Sequence, residues 1–278
     1  MHIETQLAQI GTGKDKVTGA VNFPIYPATA YRHPAPGEST GFDYTRTANP
    51  TRSVLEEAIA VIEKGDGGFA CASGMAAIQT IMGLFAQGDH LIVSLDLYGG
   101  TYRLFEQVLS RYGLTFSYVD LREPQLAEEA ILPNTKAILV ETPTNPLMQI
   151  TDISAIVEIA KRHSLLTIVD NTFMTPYYQR PLELGADLVF HSATKYLGGH
   201  NDVLAGLIVT KGQELTEKIR FLAQLDRSGT WTARQLAVDP RDEDAGDTHG
   251  TSPGECLENC AFSQNTPTSN RSILSRFG

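Results

Sequence analysis

From residue 52 onward, the apolar positions of the chain alternate between two spacings. Val54, Ala58, Val61 and Ile62 recur at helical intervals, and Gly65 ends that run. A short apolar run at 68–72 predicts a strand, Ser73-Gly74 a turn, and 75–85 a long helix. Five further strand candidates, at 91–95, 137–140, 166–169, 188–191 and 207–209, are rich in Leu, Ile and Val. Amphipathic stretches at 101–112, 153–163 and 213–225 predict helices between and after them. Buried strands alternating with helices predict an α/β fold whose mostly parallel sheet is covered on both faces. Residues 1–50 show little periodicity and are rich in Thr, Pro, Gly and Tyr, so an extended arm is expected there. No internal repeat is visible.

Composition narrows the class. A chain of 278 residues with 42% hydrophobic residues fits one large domain plus an appendage. A net charge of −10 argues against nucleic acid as a partner, because phosphate binding needs a basic face. No apolar run reaches the roughly 18 residues of a membrane span, and the first 13 residues carry no targeting pattern, so a cytoplasmic location is expected. Cys71, Cys256 and Cys260 form no disulfide framework or zinc spacing; Cys71, in an apolar run, reads as a small buried hydrophobe.

Four places carry chemistry. Ser192-Ala193-Thr194-Lys195-Tyr196 follows the strand at 188–191. An amine at the exit of a buried strand is partly desolvated, a setting that favours nucleophilic and Schiff-base chemistry, whereas a surface loop would make it an ordinary lysine. Ser192 and Thr194 flank it with hydroxyls suited to phosphate oxygens. Asp170 ends the strand at 166–169, where open α/β sheets bind ligands; it could hold a cationic ring nitrogen or simply cap a helix. Ala72-Ser73-Gly74-Met75 joins a strand to a helix start, which offers free N–H groups to a phosphate or is only a tight turn. Tyr98, beside Gly99 and Gly100, is free to stack on a ring or to serve the core. A phosphate cradle, a carboxylate and a lysine, in that order and each at a strand end, form the set that pyridoxal 5′-phosphate (PLP) requires.

The motifs Tyr44-Thr45-Arg46, Asn49-Pro50-Thr51, Ser73-Gly74-Met75-Ala76-Ala77, Asp96-Leu97-Tyr98-Gly99-Gly100, Glu141-Thr142-Pro143-Thr144-Asn145-Pro146, Asp170-Asn171-Thr172 and Ser192-Ala193-Thr194-Lys195-Tyr196-Leu197-Gly198-Gly199-His200 resemble the Cys/Met-metabolism PLP enzymes. The likeness covers residues 3–225 and is nearest to the bacterial cystathionine γ-synthase and O-acetylhomoserine thiolyase branch. It implies the aspartate-aminotransferase fold (fold type I), in a homotetramer built from dimers with shared sites. By resemblance, Lys195 is the Schiff-base lysine and proton shuttle, Asp170 holds the pyridinium, Tyr98 stacks on the ring and Asn145 reaches its hydroxyl. Gly74, Met75, Ser192 and Thr194 bind phosphate in the same chain, and Tyr44 and Arg46 reach the neighbour's phosphate; the residues alone also allow Arg46 a surface salt bridge. The implied substrates are small amino acids. The implied reaction is γ-replacement on an O-acyl-homoserine by cysteine or sulfide, a step of methionine biosynthesis. Cystathionine γ- and β-lyases share nearly every motif, and a non-catalytic PLP-binding subunit is a further alternative.

Residues 226–278 break the pattern. Only seven of these 53 residues are Leu, Ile, Val or Phe, too few to offset the entropy of ordering, so a disordered tail is expected. The resemblance implies a further hundred or so residues, forming a C-terminal domain with the arginine that grips the substrate carboxylate. Codons compatible with the tail, read one base later, can spell segments similar to that continuation. The expectation is therefore a truncated chain with a frameshifted end, and three regions: an arm at 1–50, a PLP-binding domain at 51–225 and an aberrant tail at 226–278.

Overall fold

The computed structural model describes residues 3–9 and 11–226. The expected tail, with Cys256 and Cys260, lies outside them from residue 227 onward. A short helix, α1 (Ile3–Gln9), precedes an irregular arm that the sequence pattern anticipates, although the helix itself is not foreseen. Helix α2 (Pro50–Glu63) starts two residues before its predicted position. Asn49 caps it by accepting the Thr51 N–H, and a proline occupies its first turn. Lys64 ends it in a left-handed conformation, one residue before Gly65.

The remaining elements follow in order. They are β1 (Gly67–Cys71), α3 (Gly74–Met82), β2 (His90–Ser94), α4 (Gly99–Gln107), a 3-10 turn at Leu109–Tyr112, β3 (Thr115–Val119), α5 (Pro124–Glu129) and β4 (Thr135–Glu141). Then come α6 (Ile153–Arg162), β5 (Leu166–Asp170), α7 (Thr175–Tyr178), β6 (Leu188–Ser192), β7 (Gly206–Thr210) and α8 (Gln213–Asp226). All six predicted strands are present. The seventh, β3, is not foreseen: it is the edge strand, half-buried at most, and its Phe116 and Tyr118 reach the core from a short mixed run rather than an unbroken apolar one. The predicted helix 75–85 ends earlier, at Met82, and the helix 101–112 breaks into α4 and the 3-10 turn.

The strand order is β1-β7-β6-β5-β4-β2-β3. The run from β3 to β6 is parallel, as expected, whereas β7 is antiparallel to both β1 and β6. Residues 193–205 join β6 to β7 without a crossover helix, so β7 returns in the opposite direction. Alternate strand residues face opposite sides of the sheet. Ile92, Ile138, Val140, Val169 and Val189 meet α2 and α6 on one side. Leu91, Val93, Leu139, Ile168, Leu188 and Phe190 meet α3, α4 and α8 on the other. Of the apolar face expected on α8, Ile219 is buried and Leu215 and Leu222 pack on this second core, while Phe221 and Leu225 are exposed. Among the described residues, no helix is long and apolar enough to cross a membrane.

Candidate active site

The carboxyl ends of β4, β5 and β6 open into a cavity of about 630 Å³ on the side that carries α3 and α4. Period-two alternation selects its floor. Glu141, Asp170 and Ser192 are the last residues of the three strands and sit on the same face as Leu139, Ile168 and Phe190. Pairing in parallel register sets Glu141 beside Asp170, and Asp170 beside Phe190. Eight predicted site residues converge on this cavity: Gly74, Met75, Tyr98, Asn145, Asp170, Ser192, Thr194 and Lys195.

The start of α3 forms one wall. The Ser73 hydroxyl accepts the Ala76 N–H at 3.1 Å and the Ser73 carbonyl accepts the Ala77 N–H at 3.0 Å. The N–H groups of Gly74 and Met75, at the first helical positions, are left for a ligand. Glycine is required at 74: a Cβ there would lie 2.8 Å from the Ser192 Cβ, so any larger residue pushes the serine out of place. Thr194 also lines the cavity, but its hydroxyl is engaged with the backbone of Ala205, accepting its N–H and donating to its carbonyl, both at 3.2 Å. A phosphate contact from Thr194 requires that pairing to be shared or exchanged.

Asp170 is held by the Thr172 N–H at 2.9 Å, and the Thr172 hydroxyl in turn accepts the Ser192 N–H at 2.8 Å. Burial raises its carboxyl above the usual carboxylate range, while hydrogen bonds from Thr172 and the charge of His191 act the other way. Glu141 is the group that the sequence pattern does not single out. Its two oxygens accept the Tyr98 and Asn145 N–H groups, each at 2.9 Å, so one carboxyl fixes both loops. Burial, then the adjacent Asp170, push it up to about 8. The signal that marks Asp170, an acid at the carboxyl end of an apolar run, is equally present at Glu141.

Lys195 lies in the turn after β6, its N–H donating to the Ser192 carbonyl at 3.1 Å. The side chain lines the cavity but is exposed, so the desolvation expected at a strand exit is not supplied by this chain alone. Tyr98 is also exposed, and its ring lies over Gly100, where a Cβ would come within 2.3 Å of its Cε1. Tyr44 and Arg46 are not in the cavity. They sit in the arm, where the Arg46 guanidinium lies 5.6 Å from the Tyr44 ring centre and donates to the Gln224 carbonyl at 2.9 Å.

PLP suits this donor set. Two adjacent carboxyls raised by burial suit the cationic nitrogen of a pyridinium, and the amides at the α3 start suit a phosphate. Among the described lining residues, Lys195 is the one basic side chain. A mixed, mostly parallel sheet with lysine, carboxylate and helix start at its strand ends is the architecture of a fold type I PLP enzyme. The chain belongs to the Cys/Met metabolism PLP-dependent enzyme family, whose model matches residues 4–252.

It is 65% identical over 218 residues to the cystathionine γ-synthase/O-acetylhomoserine (thiol)-lyase of Bacillus subtilis, covering 78% of this chain and 58% of that one. It is 52% identical over 222 residues to the cystathionine γ-lyase of the same organism, covering 80% and 59%. The crystal structure of cystathionine γ-lyase from Lactobacillus plantarum complexed with L-serine superposes with a TM-score of 0.89 at 44% identity, over 98% of this chain and 71% of that one. The chain thus spans about three fifths of the length of the curated relatives it matches.

Proposed function

We propose that this chain carries the cofactor side of a PLP-dependent γ-replacement enzyme, one that exchanges the acyl oxygen of an O-acyl-homoserine for a thiol sulfur. The observation that supports it most is the convergence of Lys195, Asp170, Ser192 and the α3 start on one cavity. The 65% identity to a γ-synthase/thiol-lyase, against 52% to a γ-lyase, favours replacement over elimination. PLP, when bound, supplies an electron sink for the charge that develops at the substrate Cα.

The chain's residues do the rest. Lys195 Nζ would hold the cofactor covalently and would move a proton at the substrate Cα. Asp170 would pair with the ring nitrogen and favour its protonated form, while the Gly74 and Met75 amides, the Ser192 hydroxyl and, by sharing its pairing with Ala205, the Thr194 hydroxyl would hold the phosphate. Tyr98 would stack on the ring and Asn145 would bind its hydroxyl, the backbone of both being held by Glu141. Tyr44 and Arg46 complete the phosphate site of a second subunit. In this reading the protein assembles as a dimer of dimers.

A second reading, a carbon–sulfur lyase, draws on the γ-lyase match and on β-lyase relatives at 50% identity. Incubating the PLP-loaded chain with O-acetylhomoserine and cysteine should yield cystathionine and acetate. Ammonia and a keto acid released from cystathionine would favour the lyase. No turnover of either substrate by a chain that binds PLP would leave a non-catalytic subunit.

A further inference from the structure

A buried polar cluster lies behind the cavity, on the opposite face of the sheet. Glu63, Asn171 and His191 are fully buried there. Glu63 Oε1 bonds the His191 ring Nε2 at 2.7 Å and accepts from Asn171 Nδ2 at 2.9 Å. Asn171 also donates to the Gln179 carbonyl at 2.8 Å, and its Oδ1 accepts from Gln179 Nε2 at 3.0 Å. Glu63 Oε2 and His191 Nδ1 have no hydrogen-bond partner among the described residues.

This is a costly place for a carboxylate. It is the last residue of α2, at the negative end of the helix dipole, and it is removed from water. A leucine would fill the same volume without either penalty. What the carboxylate gains is a tie between two strand exits. Asn171 follows Asp170 directly at the end of β5, and His191 precedes Ser192 at the end of β6. On the cavity face, the same two exits are joined by the Ser192 N–H to the Thr172 hydroxyl. Alternation therefore places one tie on each side of the sheet, and Glu63 is the centre of the rear one.

We propose that Glu63 is a positioning residue of the cofactor site: from behind the sheet it locks the exit of β5 to that of β6, fixing the Asp170 carboxylate relative to the turn that carries Lys195. The inference rests on the site reading given above, and a pyridoxyl label on another lysine of the parent chain would overturn both. With labelling at Lys195 established, the test compares PLP dissociation constants and the rate of borohydride-fixed labelling. Measurements are made at a temperature where circular dichroism shows each variant folded.

Glu63→Leu should weaken PLP binding about tenfold and slow labelling at least about threefold, the scale of one lost buried hydrogen bond. Glu63→Gln, whose amide oxygen can accept both bonds, should stay within about threefold of the parent on both measures. If Glu63→Leu does not fold, His191→Leu cuts the arm that reaches β6 and should slow labelling in the same way. A lower melting temperature with parental binding and labelling, the signature of a purely structural role, overturns the proposal. So does a folded Glu63→Gln that loses as much as the apolar variant.

Discussion

Lys195 stands exposed in a turn, and what distinguishes it from a surface lysine is the company of Ser192, Asp170 and the α3 start across the cavity. Lys195→Ala should abolish borohydride-fixed labelling and any turnover, while PLP still docks through its phosphate; peptide mapping checks this. Glu141 offers a second test at this scale. Its carboxyl, raised to about 8 in the fold, ionises near 4.5 when unfolded. The unfolded chain therefore binds fewer protons between those values, and this contribution to stability is intact below about 4.5 and lost as pH rises towards 8. Melting curves of parent and Glu141→Gln from pH 5 to 8 should show the variant gaining relative to the parent as pH rises, by several degrees. A constant difference across that range would refute the assignment.

At the level of elements, His90 opens β2 and ties three strands together. Its Nδ1 meets the Thr135 hydroxyl of β4 at 2.7 Å and its Nε2 the Ser117 hydroxyl of β3 at 2.9 Å. Burial lowers its pKa below the usual 6.5, so the folded state keeps it neutral. The sign is opposite to that of Glu141: its contribution is present above about 6.5 and is lost as pH falls below that value. Replacing His90 by Leu should cost about 1–3 kcal/mol at pH 7, because a buried and a half-buried hydroxyl each lose a partner, and should flatten the fall in stability between pH 6.5 and 5. Denaturant titrations at the two pH values read both effects, each as a difference from the parent.

For the whole molecule, the arm bears on assembly. Arg46 and Tyr44 lie off the cavity of their own chain, beside the end of α8. If they complete the phosphate site of a neighbour, Arg46→Ala should weaken PLP binding about ten- to a hundredfold, the worth of a guanidinium–phosphate contact, and only in the associated protein. Sedimentation paired with PLP titration tests it; an unchanged dissociation constant in a confirmed dimer would contradict the shared-site arrangement.

Much of this protein was legible in its sequence because its signals are local. A strand buried on both faces reads as a near-continuous apolar run, as at 137–140, and a helix start commonly follows a capping residue such as Ser73 or Asn49. Lys195, Asp170 and the α3 start could be named as candidates for the same reason, since each lies at or within a few residues of the end of such a run. Tertiary structure alone decided the rest. The edge strand β3 is only half-buried, with Phe116 and Tyr118 reaching the core from a short mixed run, and the reversal of β7 depends on the path of residues 193–205 rather than on their composition. That Glu141 clamps two loops, that the Thr194 hydroxyl turns to Ala205, and that Glu63 reaches His191 across 128 positions are facts of packing. A buried polar group takes whichever partner the fold brings within hydrogen-bond range, and a linear pattern does not encode that distance.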